Sequence, residues 1–163
     1  MESKQNQAKQ LGKFLEQYEL VMTTAESCTG GGVAAAITDI AGSSAWFDRA
    51  FITYSNEAKM EMLDVEAATL DQHGAVSEQT VIEMVQGALR NSRASIGVSI
   101  SGIAGPGGGS ELKPVGTVCF AWADKKGWQK VSTHCFSGDR AEVREKAVEC
   151  ALKVLCEELS SRA

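Results

Sequence analysis

TTAESCTGGGVA, residues 23–34, is the stretch on which the fold turns. An apolar run from Leu20 ends in two β-branched threonines, which favours a short buried strand over Leu20 to Thr24. Glu26, Ser27, Cys28 and Thr29 follow, then three glycines. From Gly31 the alanine-rich GGVAAAITDI reads as a helix ending near Gly42. Strand, polar loop, glycines and helix form one β-to-α unit. A helix N-terminus presents unpaired N–H groups and about half a positive charge, and glycines let an acceptor approach the backbone closely. Phosphates, carboxylates and oxyanions suit that place; a tight packing turn is the alternative. The segment is neither a Walker A motif nor a G-x-G-x-x-G fingerprint.

Working outward, the spacing of Ala8, Leu11, Phe14, Leu15 and Tyr18 predicts an amphipathic helix within the first ~18 residues. Ala45 to Tyr54 reads as a strand. Asn56 is a candidate N-cap for a helix over Glu57 to Leu63. A short helical piece ends at His73-Gly74, and a clear helix capped near Ser77 carries Val81, Met84, Val85, Ala88 and Leu89. Ile96, Val98 and Ile100 alternate with small residues in a further strand. Residues 102–114, GIAGPGGGSELKP, are irregular. Val115 to Ala123 and Trp128 to Phe136 form a hairpin around Asp124-Lys125-Lys126-Gly127. Asp139 with Glu142 resembles a capping box opening a closing helix, whose apolar face is Val143, Ala147, Ala151, Val154, Leu155 and Leu159. The pattern predicts one α/β domain over residues 1–163, a three-layer α/β/α sandwich with a mixed sheet.

The chain has 163 residues, 44% of them hydrophobic and 23% charged, ordinary for a soluble domain. No apolar run approaches the ~20 residues of a membrane span, and the polar N-terminus does not read as a signal peptide. A cytoplasmic protein is therefore expected. The net charge of −5 argues against a nucleic-acid surface. The one dense basic cluster, Lys125, Lys126 and Lys130, flanks a hairpin turn. Five cysteines without a C-x-x-C pair speak against a disulfide framework. Cys119 and Cys150 read as small core residues. With two histidines only, no metal-ligand spacing emerges, so neither metal nor cofactor is expected.

If the loop holds a nucleophile, it needs a base. There is no G-x-S-x-G elbow; His73 ends a helix and His134 lies in a strand, so a Ser-His-Asp triad is disfavoured. Lysine serves where burial lowers its pKa. Ser110-Glu111-Leu112-Lys113 matches S-x-x-K but lies between glycines and Pro114 rather than on a helix. Lys59 is the better candidate: it opposes the dipole in the first turn of its helix by ~0.3–1 kcal/mol, unless it is merely a solvated surface lysine. Arg140 sits at the positive end of the closing helix. It either holds an anion there with backbone N–H groups or pairs with Asp139 or Glu142. The Gly102–Gly109 loop follows a strand as the first loop does. Parallel neighbouring strands would put both loops on one sheet edge, where α/β ligand sites lie.

TTAESCTGG, ITDIAGSSAWFDRAFITYSNEAK, HGAVSE, SISGIAGPGGGSELKPVGTV and FSGDR together resemble the CinA C-terminal domain family, in particular its stand-alone nicotinamide-mononucleotide deamidases. At this length the stand-alone form is expected, without the molybdopterin-binding-like domain of longer members. The resemblance implies hydrolysis of the carboxamide of nicotinamide mononucleotide to nicotinate mononucleotide and ammonia, within pyridine nucleotide recycling and without metal. It implies Ser27 as nucleophile, Lys59 as base, Tyr54 as its companion in proton transfer, and Arg140 in substrate binding. Where some relatives have threonine in Gly-Ile-x-Gly-Pro, this chain has Ala104. Backbone N–H groups near Thr29 to Gly31 are the expected oxyanion donors. Glu26, Thr29, Gly30, Gly31, Gly105 and Gly107 complete the expected substrate contacts, with Glu26 orienting Lys59, binding a substrate hydroxyl or capping the loop. Cys28 is the rival nucleophile. A homodimer is the expected assembly. The competing reading is a non-catalytic interaction module in competence or DNA-damage responses, which ammonia release from the nucleotide would separate from the enzyme.

Overall fold

The computed structural model describes residues 3–162; Met1, Glu2 and Ala163, the ends of the expected 1–163 unit, lie outside the described residues. In chain order the elements are α1 (Lys4–Gln17), β1 (Met22–Glu26), α2 (Gly32–Thr38), a 3₁₀ turn (Ser43–Ala45), β2 (Phe47–Ile52), α3 (Asn56–Leu63), α4 (Ala67–His73), α5 (Glu78–Arg90), β3 (Ile96–Gly102), β4 (Thr117–Asp124), β5 (Gln129–Cys135) and α6 (Arg140–Ser161). The strands form one sheet in the order β2-β1-β3-β4-β5. β2, β1 and β3 run parallel, whereas β4 and β5 are antiparallel to their neighbours. The expected mixed sheet with helices on both faces is therefore present. No helix among the described residues is long and apolar enough to cross a membrane.

The period of two along β3 and β4 creates two cores. Ile96, Val98 and Ile100 join Val118, Phe120 and Trp122 against α1, α2 and α6, with Leu11, Leu15, Leu152 and Leu155. Trp122 Nε1 donates to Ala151 O at 3.1 Å, satisfying the indole on the buried helix. On the other face Cys119, Ala121 and Ala123 meet Leu63, Val81, Met84 and Val85. There the alternate β3 positions are Gly97 and Ser99, and Ser99 Oγ donates to Val81 O of α5. Small residues on that side let α5 lie close to the sheet. The five cysteines are free thiols.

Several boundaries move from the sequence reading by one or two residues, the usual uncertainty of element ends. β1 runs from Met22 to Glu26 rather than Leu20 to Thr24, because Glu26 still pairs with Ile100 on one side and Ile52 on the other. β2 stops at Ile52, leaving Tyr54 beyond the strand. The cap of α3 is Ser55, not Asn56: Ser55 Oγ accepts from Ala58 N at 3.0 Å. The capping box of α6 forms as expected, with Asp139 and Glu142 each accepting from the other's backbone N–H. This consumes the two carboxyl groups nearest Arg140.

Candidate active site

The parallel arrangement places the C-terminal ends of β1 and β3 side by side, and the loops that follow them meet there. Ser27 is the first residue after β1. Its N–H donates to Ile100 O at 3.0 Å, while Thr53 N donates to Glu26 O at 2.8 Å. The nucleophile candidate is thus held from both neighbouring strands. Ser27 is 8% exposed, with its side chain in a cavity of about 270 Å³. Tyr54, Lys59, Gly105, Gly107 and Arg140 line the same cavity.

Lys59 projects from the first turn of α3 into the protein and is 1% exposed. Its Nζ lies 3.1 Å from Ser27 Oγ and 2.9 Å from Thr53 O. A solvated surface lysine is excluded. Both partners are neutral oxygens, so burial prevails and lowers the lysine pKa. A lysine depressed in this way beside a serine hydroxyl is arranged to take its proton. Cys28 is the weaker candidate here: burial pushes its thiol up to about 11, so the thiolate is scarce near neutral pH.

Glu26 does something else. Fully buried at 0% exposure, its carboxyl oxygens accept from Thr24 Oγ1, Thr29 Oγ1 and the N–H groups of Gly31, Val33 and Ala34 at 2.7–3.1 Å. It caps α2 from the end of the strand and does not touch Lys59. Four of the residues expected to contact substrate, Glu26, Thr29, Gly30 and Gly31, are absent from the cavity lining. The reason is that the loop folds inward onto this carboxyl group. The expected oxyanion donors change accordingly, since Gly30 N–H donates to Ser27 O and Gly31 N–H to Glu26. Gly31, at φ +101°, holds a left-handed conformation that opens the helix at no steric cost.

Arg140 forms no ion pair with Asp139 or Glu142. Its Nη1 donates to Gly105 O at 2.8 Å and its Nη2 to Tyr54 Oη at 3.0 Å. Five guanidinium N–H groups minus these two leave donors for an anion. Tyr54 is 63% exposed and bonds to Arg140 rather than to Lys59 or Ser27. Ala104 lies in the wall without a hydroxyl. Of the S-x-x-K match, Ser110 Oγ accepts from Lys113 N while Lys113 Nζ donates to His73 O, so the two side chains are not a pair. Asn56 and Ser101 also line the cavity; reading Asn56 as a cap had hidden it, and Ser101 carried no signal beyond its place at a strand end. A larger depression of about 490 Å³ lies at the opposite end of β3 and β4, with Gln86, Arg90, Lys125 and Trp128 on its walls. It contains no nucleophile–base pair.

The model of the CinA C-terminal domain matches residues 4–159. The chain belongs to this family. As a CinA C-terminal domain it is 60% identical over 148 residues to the nicotinamide-nucleotide amidohydrolase PncC of Escherichia coli strain K12, covering 91% of this chain and 90% of that protein. It is 54% identical over 149 residues to the nicotinamide-nucleotide amidohydrolase PncC of Enterobacter agglomerans, covering 91% of each. The crystal structure of the competence/damage inducible protein CihA from Agrobacterium tumefaciens superposes with a TM-score of 0.94 at 43% identity, over 98% of this CinA domain and 97% of that chain.

Proposed function

We propose that the protein hydrolyses the carboxamide of nicotinamide mononucleotide, releasing ammonia and nicotinate mononucleotide, in pyridine nucleotide recycling. The buried Lys59 Nζ at 3.1 Å from Ser27 Oγ carries this reading; the names of its amidohydrolase relatives indicate the substrate. Neutral Lys59, steadied by its bond to Thr53 O, accepts the Ser27 proton as Oγ attacks the amide carbon. The resulting oxyanion collapses, the C–N bond breaks, and Lys59 returns the proton to the departing nitrogen, which leaves as ammonia. Water then attacks the Ser27 ester with Lys59 again as base, freeing the carboxylate and restoring the hydroxyl. Arg140, with its unused N–H groups beside the cavity, takes the phosphate, and the exposed Tyr54 attached to it borders the bound nucleotide.

Ammonia release from nicotinamide mononucleotide tests the reading directly. Release by the native protein and none by Ser27→Ala is the expected result, with Cys28→Ala keeping most activity. A native protein that frees no ammonia, or loss confined to the Cys28 variant, would falsify it.

A further inference from the structure

Arg144 lies one turn beyond Arg140 on α6 and reaches the other side of the nucleophile loop. Its Nε donates to Cys28 O at 3.0 Å and its Nη2 to Thr29 O at 3.2 Å. It has no carboxylate partner among the described residues; the guanidinium is given over to two backbone carbonyls. Gly30 lies close beneath it at φ +58°, where a Cβ would come within 3.3 Å of Nη2. Among the described residues, the N–H groups of Cys28 and Thr29 donate to no backbone or side-chain oxygen. The Cys28 N–H meets only its own Sγ, whereas those of Ser27, Gly30 and Gly31 are taken by oxygens.

A trans peptide points its C=O and N–H in opposite directions. When Arg144 holds Cys28 O, the Thr29 N–H of the same peptide is directed away from α6. The second arm works through a relay. Arg144 holds Thr29 O, the Gly30 N–H of that peptide donates to Ser27 O at 3.0 Å, and the Ser27 carbonyl shares its peptide with the Cys28 N–H. Both N–H groups therefore stand at the far ends of peptides whose carbonyls are tied to one cation, directly or through one hydrogen bond. Chained hydrogen bonds polarise one another, most strongly when an end is charged. Resting on the serine-amidase reading above, we propose that Arg144 is the positioning residue that aligns and polarises the Cys28 N–H as an oxyanion donor beside Ser27. Cys28 follows the nucleophile directly, and with Ser27 it lines the cavity. The two arginines of α6 thus divide the work: Arg140 faces the substrate, and Arg144 acts through the loop backbone.

The test compares Arg144→Met, which keeps an unbranched stem, with Arg144→Lys and Arg144→Ala. With nicotinamide mononucleotide, Arg144→Met should lose roughly 10²-fold in kcat, the scale of one oxyanion donor, at unchanged KM. Arg144→Lys, able to serve one carbonyl, should fall between. Added methylguanidinium should restore kcat to Arg144→Ala where methylammonium does not. A second readout needs no knowledge of the substrate: the rate at which a fluorophosphonate labels Ser27. There the Oγ–P bond forms, the P–F bond breaks, fluoride leaves, the serine proton passes to Lys59 and the phosphoryl oxygen uses the same Cys28 N–H. The labelling rate should fall in step with kcat. Native kcat and labelling in Arg144→Met overturn the proposal, as does a loss that tracks a lowered unfolding midpoint and ignores methylguanidinium. If the native protein frees no ammonia yet its labelling depends on Arg144, the substrate reading fails and this one stands.

Discussion

Lys59 is the residue whose chemistry depends most on its surroundings. An amine 1% exposed, bonded only to a hydroxyl and a carbonyl, is driven toward its neutral form by burial. Turnover should therefore rise with pH through that lowered pKa, as the free base becomes populated. Lys59→Met should cut kcat by ~10²–10⁴-fold, the worth of a proton-transfer group, and remove this limb of the pH–rate profile; a variant with near-native turnover would return the lysine to a packing role. Stability should follow the same titration. Between the folded pKa and the ordinary 10.5 the unfolded chain binds more protons than the folded one, so stability grows with pH across that window. Unfolding midpoints measured against pH should show this rise in the native protein and lose it in Lys59→Met.

Each of the short helices around the site starts in its own way. α3 starts at Ser55, one turn before Lys59. Ser55→Ala should cost about 0.5–2 kcal/mol of stability and loosen the turn that aims the amine, whereas Asn56→Ala should leave stability nearly unchanged; denaturant unfolding of both variants distinguishes them. α2 has no cap of its own side chains and borrows Glu26 from the strand before it. Glu26→Gln places an NH₂ against N–H donors, and a buried donor left without an acceptor costs ~1–3 kcal/mol, so its unfolding midpoint should drop. These cases also separate what the sequence discloses from what it conceals. Periods of 2 and 3.6 made the strands and long helices readable, and the Asp139–Glu142 spacing announced its capping box. Ser55-Asn56 offers two good caps in succession, and propensity does not choose between them. Glu26 looked like a loop residue because a carboxyl group lacks the apolar mark of a strand. Arg144 escaped notice because its partners are carbonyl oxygens, which leave no trace in a side-chain pattern. Ser27, Lys59 and Arg140, which line one cavity, stand out in the sequence because each breaks a local rule: a reactive side chain before glycines, or a cation at the positive end of a helix.

The sheet gathers segments far apart in the chain. Ser27 follows β1, Lys59 comes from α3, Gly105 follows β3, and Arg140 opens α6. Arg140 ties the Gly105 loop to the segment between β2 and α3, from Gly105 O to Tyr54 Oη, so its removal should affect the reaction beyond simple affinity. If its free N–H groups hold a phosphate, Arg140→Ala should reduce kcat/KM for nicotinamide mononucleotide about ten- to a hundredfold more than for the phosphate-free riboside, the worth of a charge-assisted bond of ~1.5–3 kcal/mol. Arg140→Lys should recover only part, lacking the planar fork. Equal losses on both compounds would make Arg140 structural. Both arginines lie on α6, far behind the serine and the lysine in chain order. On the ribosome the serine and its lysine emerge first, and α6 follows only after β3, β4 and β5. On the proposed reading, a polypeptide that ends before α6 carries Ser27 and Lys59 without the arginines assigned to the anion and the loop.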